Sequence, residues 1–127
     1  QLTKRGLLVT AIDNGPMDDK LMQNGMVEHY RADAFTFRPD KPVAWLVCDM
    51  VERPHLVTQL IISWFRRKHC KNAIFNLKLP MKKRLQTVLE CKALIDTEMA
   101  KANIRCTIRM KQLYHDREEI TACIIAL

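Results

Sequence analysis

Glycine is scarce in this sequence of 127 residues, which contains only three. Gly6, Gly15 and Gly25 lie so far apart that they form no glycine-rich loop, a common cofactor-binding element. Long apolar runs are also missing. The longest, residues 56–65, contains polar side chains and is far shorter than the ~20 residues that span a bilayer. The sequence therefore predicts no membrane partner.

The cysteines form no recognisable framework. There are five of them, an odd number, and none belongs to a C-x-x-C pair. A metal site or a disulfide framework is therefore poorly supported. Reduced, mostly buried thiols in a cytoplasmic protein are the simpler interpretation.

Positive charge is in excess, with 21 Lys and Arg against 14 Asp and Glu and a net charge of +7. This excess favours a polyanionic partner, although solubility alone also accounts for it. The basic residues cluster at 66–71, 82–84 and 105–111. These clusters are either solvated ends of helices and strands or contacts for phosphates, and the sequence leaves both interpretations open.

The hydrophobic pattern predicts a single domain in which strands and helices alternate. Continuous apolar runs such as residues 43–48 are typical of buried parallel strands, whereas residues 105–112 alternate between apolar and polar side chains. The predicted strands span residues 6–12, 26–30, 43–48, 73–77, 105–112 and 119–127.

Three helices are predicted between these strands. The first lies between Asp13 and Gly25, the second spans about residues 55–69, and the third spans about residues 80–102, beginning at Pro80. The apolar stripe of the third helix consists of Met81, Leu85, Val88, Cys91, Ile95 and Met99.

The order of elements predicts an α/β fold with a mostly parallel, doubly wound sheet. The last connection is too short for a crossover, so the final two strands are expected to be antiparallel. A parallel sheet with one reversed strand at its end resembles the methyltransferase version of the Rossmann-like fold.

Charged residues stand at the carboxyl edge of the predicted sheet, where open parallel sheets bind their ligands. The final strand is reversed, so its first residue lies at this same edge. In the methyltransferase fold the reversed strand lies beside the strand that ends at Lys78, so Asp49, Lys78 and Glu119 are expected to be neighbours on adjacent strands ~4.8 Å apart. The charged residues expected at this edge are Asp13, Asp33, Asp49, Lys78 and Glu119.

Each of these residues also has a purely structural interpretation. Asp13 suits the N-cap of a helix, and Asp33 suits a turn. The aliphatic part of Lys78 can cover apolar surface while its charge reaches water. Glu119 can belong to a solvated pair with Glu118. The joint placement of these residues at one edge is harder to explain structurally than any one of them alone.

Several long segments resemble one known family. "VTAIDNGPM", "RADAFTFRP", "WLVCDMVERP", "IFNLKLPMKKR" and "QLYHDREEITA" are similar to the FtsJ-like ribose 2'-O-methyltransferases that act on large-subunit ribosomal RNA. The resemblance covers essentially the whole chain. It implies transfer of a methyl group from S-adenosyl-L-methionine to the 2'-hydroxyl of a cytidine in 23S rRNA.

The resemblance also implies roles for individual residues. The family carries a Lys-Asp-Lys-Glu catalytic set, in which the Asp matches Asp49, the second Lys matches Lys78 and the Glu matches Glu119. The acidic residue that holds the cofactor ribose matches Asp13, and the one near the adenine matches Asp33. Asp49 is expected to contact the cofactor as well.

Parts of the family pattern have no counterpart here: the glycine-rich cofactor loop, the first catalytic lysine and the N-terminal RNA-binding region. Residues 1–127 are therefore expected to be the C-terminal part of a methyltransferase domain that lacks its first strand. That strand belongs between residues 6–12 and 43–48, where its absence leaves a gap of ~10 Å. The chain alone is expected to be inactive and to bind cofactor poorly.

The expected partner is 23S rRNA, bound by a cytoplasmic monomer without a metal ion. Two other hypotheses stay open. One is a non-catalytic RNA-binding module that keeps the methyltransferase fold. The other is a related methyltransferase with a different RNA substrate, such as a cap ribose.

Overall fold

A computed structural model describes residues 9–12, 27–30, 33–112 and 118–127. The chain divides into two compact units, residues 1–38 and 39–127. In the first unit, strands β1 (Val9–Ile12) and β2 (Val27–Tyr30) pair in parallel. The helix predicted between these two strands lies outside the described residues.

The second unit contains a four-stranded sheet with the order β3-β4-β6-β5. Strands β3 and β4 are parallel, and β6 runs antiparallel to both of its neighbours, β4 and β5. The predicted α/β class and the reversed final strand are therefore confirmed. The elements of this unit are β3 (Val43–Cys48), α1 (Pro54–Arg66), β4 (Cys70–Lys78), α2 (Arg84–Lys101), β5 (Cys106–Lys111) and β6 (Glu119–Ala126).

The hydrophobic core lies between the sheet and the two described helices. Helix α1 packs against both α2 and β4, so the helices cover the same face of the sheet. On that face Phe75 and Leu77 of β4 and Ile124 of β6 are almost completely buried. Because side chains alternate along a strand, the residues between them point to the other face.

The opposite face of the sheet carries exposed apolar side chains beside polar ones. Trp45, Val47, Ile74 and Ile125 are all substantially exposed. The pairing registers bring these residues together, because Val47 is level with Ile74 on β4 and Ile125 is level with the next residue on this face, Asn72. This exposed face of the sheet continues to the carboxyl ends of β3 and β4.

Helix α1 is shorter than predicted. It ends at Arg66 instead of about residue 69, because Lys68 adopts a left-handed backbone conformation with φ 58°. Strand β4 then starts at Cys70, three residues before the predicted strand. Within the basic segment 66–71, Arg66 thus ends α1, residues 67–69 form the turn, and Lys71 belongs to β4.

Helix α2 begins four residues later than predicted, at Arg84 instead of Pro80. Lys83 at its N-cap has φ 59°, a conformation that a continuous helix does not contain. The start of the predicted apolar stripe is also wrong, since Met81 and Leu85 are exposed. Thr87, in the same first turn, is buried, so this turn packs through Thr87 instead of through Leu85.

The five cysteines are free thiols, and three of them, Cys48, Cys70 and Cys91, are buried. Burial raises the pKa of Cys70 to about 12, so this thiol stays protonated at neutral pH and is a poor nucleophile. No helix within the described ranges combines the length and the apolar character that crossing a membrane requires.

Candidate active site

The strand pairing brings Lys78 and Glu119 directly opposite each other at the carboxyl end of β4. One residue further, the Leu79 N–H donates to the Glu118 carbonyl oxygen at 2.6 Å, which continues the antiparallel ladder. Hydrogen-bonded and non-hydrogen-bonded pairs alternate in such a ladder, so Lys78 and Glu119 form a non-hydrogen-bonded pair. Side chains in these pairs lie on the same face with Cβ atoms ~4.5–5.5 Å apart.

Asp49 reaches the same face from β3. Cys48 pairs with Phe75 in the parallel register, so the next residues, Asp49 and Asn76, lie side by side. The Asn76 Nδ2 donates to Asp49 Oδ1 at 3.1 Å, and Thr121 Oγ1 donates to Asn76 Oδ1 at 2.7 Å. These hydrogen bonds show that the three side chains share one face and form a continuous polar row across β3, β4 and β6.

Two rows of polar side chains therefore lie one above the other at this edge. The row closer to the sheet centre is Asp49, Asn76 and Thr121, and the row above it is Lys78 and Glu119. Lys78 and Asn76 are two residues apart on β4 and so point the same way. Three of the predicted site residues thus meet at one edge and on one face, and their catalytic role stays a prediction.

The contacts of Asp49 differ in detail from those expected. In the part of the chain that the structure describes, no ion pair joins Lys78 to Asp49 or to Glu119. The partner of Asp49 is instead the neutral amide of Asn76. Lys78 and Asp49 are both exposed, so both side chains are accessible to a ligand at this edge.

The other predicted cofactor ligands belong to the first unit. Asp13 lies outside the described residues. Asp33 is exposed and organises a turn, because its Oδ1 accepts from the Phe35 N–H at 2.9 Å and its carbonyl oxygen accepts from the Phe37 N–H at 2.9 Å. The turn that the sequence offered as the structural interpretation of Asp33 is therefore present, and a ligand-binding role of this residue stays a prediction.

Sequence reasoning missed Asn76 and Thr121. A signal for Asn76 was available: it is a polar residue two positions before Lys78 within the apolar run "AIFNLK", so it had to share a face with the lysine. Thr121 stands in the same relation to Glu119 on β6. That the two would bond each other depended on the register between β4 and β6, which the sequence alone does not provide.

The side chains near Asp49 were also compared with the requirements of a nucleophile and of a metal site. Burial raises the pKa of the Cys48 thiol, so this cysteine, although adjacent to Asp49, is not an activated nucleophile. Among the described residues no group of three or more His, Cys, Asp or Glu side chains is arranged to hold a metal ion. The exposed groups at this edge include the amine of Lys78 and the carboxylate of Asp49, which bind hydroxyl and ammonium groups and can transfer protons.

The reversed strand inserted beside β4 defines a class of fold, the Rossmann-like methyltransferases. Solved structures of this class superimpose on the chain. The fibrillarin pre-rRNA processing protein of Methanococcus jannaschii matches with a TM-score of 0.61 at 11% identity, over 94% of this chain and 56% of that one. The N-methyltransferase NodS of Bradyrhizobium japonicum WM9, in complex with S-adenosyl-L-homocysteine, matches with a TM-score of 0.55 at 12% identity, over 92% and 65%.

At the sequence level the chain is similar to curated proteins named Ribosomal RNA large subunit methyltransferase M. The protein of that name from Pseudoalteromonas translucida is 56% identical over 122 residues, which cover 95% of this chain and 34% of the relative. The one from Aromatoleum aromaticum is 56% identical over 121 residues, 95% of this chain and 33% of the relative. The resemblance to large-subunit rRNA methyltransferases is thereby confirmed. The chain spans about a third of the length of these relatives, and no protein-family model matches it.

Proposed function

We propose that this chain is the C-terminal part of an S-adenosyl-L-methionine-dependent methyltransferase domain that methylates large-subunit ribosomal RNA. In its specific form, the proposal assigns the 2'-hydroxyl of a cytidine ribose in 23S rRNA as the methyl acceptor. The names and the 56% identity of the curated relatives support the reaction and the substrate class. The superposition on methyltransferase structures supports the fold that this reaction requires.

The observation that carries the proposal is the polar edge at the carboxyl ends of β3 and β4. Lys78 and Glu119 are opposite each other on neighbouring strands, and the Asp49 carboxylate lies on the same face. Open α/β sheets bind ligands at this edge. An amine flanked by two carboxylates can hold a sugar hydroxyl and remove its proton, and a ribose hydroxyl needs such help because it is a weak nucleophile.

Each member of this group has a proposed role. Lys78 binds the 2'-oxygen of the acceptor, either as a neutral amine that takes the hydroxyl proton or as a cation that orients the oxygen. Asp49 and Glu119 orient the amine through their negative charge. Much of the rate enhancement is expected to come from holding the acceptor oxygen in line with the methyl group.

The described residues fit part of an S-adenosyl-L-methionine site. The cofactor supplies the methyl group from a positively charged sulfonium, and it carries ribose hydroxyls and amines that donate hydrogen bonds. The exposed carboxylate of Asp49 is a suitable acceptor. We assign Asp13 and Asp33 to the same cofactor on the resemblance alone. The sequence contains no glycine-rich loop, which is why the isolated chain is expected to bind the cofactor weakly.

Calorimetry on the full-length protein tests the proposal against the non-catalytic alternative. We expect S-adenosyl-L-methionine to bind, and Asp13→Ala and Asp33→Ala each to weaken binding by ~10-fold or more through loss of a charged hydrogen-bond acceptor. Turnover should fall as a consequence of the weaker binding. Since Asp33 also organises a turn, Asp33→Asn is the control: it keeps the acceptor oxygen for Phe35 and removes the charge.

The possible results separate the hypotheses. If Asp33→Asn binds the cofactor normally while Asp33→Ala does not, Asp33 acts only through its turn and its assignment as a ligand is wrong. If the full-length protein binds no S-adenosyl-L-methionine, the non-catalytic RNA-binding module becomes the better description.

The basic clusters differ in their distance from the candidate site. Lys82 and Lys83 follow the carboxyl end of β4 and so lie near Lys78. Arg67 and Lys68 lie at the amino end of the same strand. Lys71 and Lys78 are seven steps apart along this strand, and at ~3.3 Å for each step the distance between them is ~23 Å. We therefore propose that RNA phosphates around the acceptor ribose contact residues 82–84 and not residues 66–71.

Charge removal in two matched pairs tests this assignment. We expect the double variant Lys82→Gln, Lys83→Gln of the full-length protein to weaken rRNA binding ~10-fold and to reduce the slope of log affinity against log salt by ~1–2, since about one counterion is released per phosphate contact. The measurement is a titration of rRNA binding at several salt concentrations.

The double variant Arg67→Gln, Lys68→Gln is the control. It also removes two exposed positive charges, and Lys68 and Lys83 have nearly the same left-handed backbone, with φ 58° and 59°. Its affinity and salt slope should stay near those of the unmodified protein. Equal losses in the two variants would show that RNA binding depends on net charge and not on position.

The proposed substrate implies where the protein works. Ribosomal RNA of the bacterial relatives is in the cytoplasm, and we propose that the protein acts there as a monomer. The proposed reaction needs neither a metal ion nor a membrane, because the acceptor is activated by side chains and the methyl donor is a soluble cofactor.

A further inference from the structure

Asn76 occupies an unusual position for its residue type. Asparagine is depleted in strands, yet Asn76 is half-buried in β4, which lies inside the sheet between β3 and β6. Its preceding neighbour on the same face is the apolar Ile74. A half-buried amide in this place is tolerated because both of its polar atoms have partners, one on each adjacent strand.

The chemistry of the partners fixes the direction of the hydrogen bonds. An ionised carboxylate only accepts, so Asn76 must turn its Nδ2 toward Asp49. Its Oδ1 then faces β6 and can only accept, which requires Thr121 to donate its hydroxyl proton. The row thus has a single orientation, with every donor directed toward Asp49, and successive hydrogen bonds of this kind polarise and strengthen one another.

Asp49 needs such a restraint. It is exposed and follows the last residue of β3, so the sheet ladder does not hold its side chain. A free aspartate at this position would sample several rotamers, and a ligand that needed one of them would have to select it on binding. A carboxylate already held in one orientation avoids this loss of entropy.

We propose that Asn76 and Thr121 are positioning residues for Asp49. Thr121 fixes the orientation of the Asn76 amide, and the amide fixes one oxygen of the Asp49 carboxylate at the edge where Lys78 and Glu119 lie. The proposal rests on the function proposed above, in which Asp49 serves the methyl-transfer site. It adds two residues that the Lys-Asp-Lys-Glu set does not contain.

Asn72 provides a matched control within the same strand. It lies on the same face of β4 as Asn76, and its Nδ2 likewise donates across to β3, at 2.9 Å. Its acceptor is the backbone carbonyl of Ala44, far from the carboxyl edge, instead of a functional side chain. Replacement of either asparagine by leucine removes an amide of equal size. Asn72 loses its hydrogen bond to Ala44, whereas Asn76 loses those with Asp49 and Thr121, so only the second variant takes the partner from Asp49.

The test uses the full-length protein and compares turnover with stability. We expect Asn76→Leu to lower kcat for rRNA methylation ~10–100-fold, whereas Asn72→Leu lowers it less than ~3-fold at a similar change in unfolding midpoint. Thr121→Val, which keeps the shape and loses the hydroxyl, should lower kcat in the same direction. Thr121→Ser should restore most of the activity, because it returns the donor.

A second measurement does not depend on activity. In the NMR spectrum the side-chain amide protons of Asn76 should be protected from solvent exchange, and Asp49→Ala and Thr121→Val should remove that protection while Asn72→Leu does not. If the Asn76 amide protons of the unmodified protein are unprotected, the hydrogen-bonded row of Asp49, Asn76 and Thr121 does not exist in solution. Protection together with equal losses of kcat in Asn76→Leu and Asn72→Leu would overturn its positioning role. If the full-length protein transfers no methyl group at all, the proposed function is wrong, and this result is distinct from a failure of the positioning role.

Discussion

Replacing Lys78 with alanine in the full-length protein should reduce methyl transfer to rRNA by ~10³-fold or more and change S-adenosyl-L-methionine affinity less than ~2-fold. The reason lies in the placement of the lysine. Its exposed side chain lies at the carboxyl end of β4, where the proposal places the acceptor, whereas the residues assigned to the cofactor are aspartates outside β4. The measurements are transfer of a labelled methyl group and calorimetric titration with the cofactor.

Lys71→Ala is the matched control for this result. Lys71 is also an exposed lysine of β4, but it lies near the amino end of the strand. Its replacement removes the same charge and the same side chain and should leave turnover nearly unchanged. If Lys78→Ala retains full activity, the proposed active site is wrong, whatever Lys71→Ala does.

Lys78→Arg separates the two roles left open for the amine. Arginine stays protonated at all accessible pH values, so it can orient an oxygen but cannot take a proton from it. Partial activity of Lys78→Arg would therefore favour the cationic role. An inactive Lys78→Arg with normal cofactor binding would favour the neutral base.

Much of the fold followed from local sequence patterns. The run "VAWLVC" is bounded by Pro42 and Asp49, and the predicted strand has the observed limits, Val43–Cys48. The short connection before "EITACIIAL" forced the last two strands to be antiparallel, as they are. The place of β6 beside β4 was different: no local pattern contains a strand order, and it was predicted only through the resemblance to a known fold.

The errors lie where backbone conformation or tertiary packing overrides the pattern. Pro80 suits a first helical turn, but the left-handed conformation of Lys83 delays α2 until Arg84. Leu85 fits the periodicity of the apolar stripe and is nevertheless exposed, whereas Thr87 in the same turn is buried. Neither the conformation of one linker residue nor the apolar side chains that tertiary packing covers can be read from hydrophobic spacing.

The candidate site likewise combines residues that local sequence patterns predicted with residues that only the tertiary structure revealed. Strand ends placed Asp49 and Lys78 at one edge, since the carboxyl ends of parallel strands coincide. The polar row through Asn76 required the exact pairing of β4 with β6, and a shift of one residue would have turned Asn76 away from Thr121. Side chains that act through hydrogen bonds across strands are thus harder to find from sequence than those at strand ends.

The face on which the site lies can be tested through stability. Phe75 and Ile74 are adjacent on β4 and point to opposite faces, with exposed fractions of 1% and 37%. We expect Phe75→Ala to lower the free energy of unfolding of this chain by ~3–5 kcal/mol, since it empties a core position, and Ile74→Ala to lower it by ~1 kcal/mol or less. Urea unfolding followed by circular dichroism measures both. Should Phe75→Ala fail to fold, Phe75→Leu removes less volume and should give a smaller loss in the same direction.

This comparison bears directly on function because side chains alternate strictly along a strand. If Phe75 is in the core, Asn76 must point away from it, Leu77 must point in, and Lys78 must share the outer face with Asn76. A much larger loss for Phe75→Ala than for Ile74→Ala would fix that alternation independently of any activity. Equal losses would mean that the register or the burial of β4 differs from the one described, and Lys78 would then no longer be expected on the face that carries Asp49.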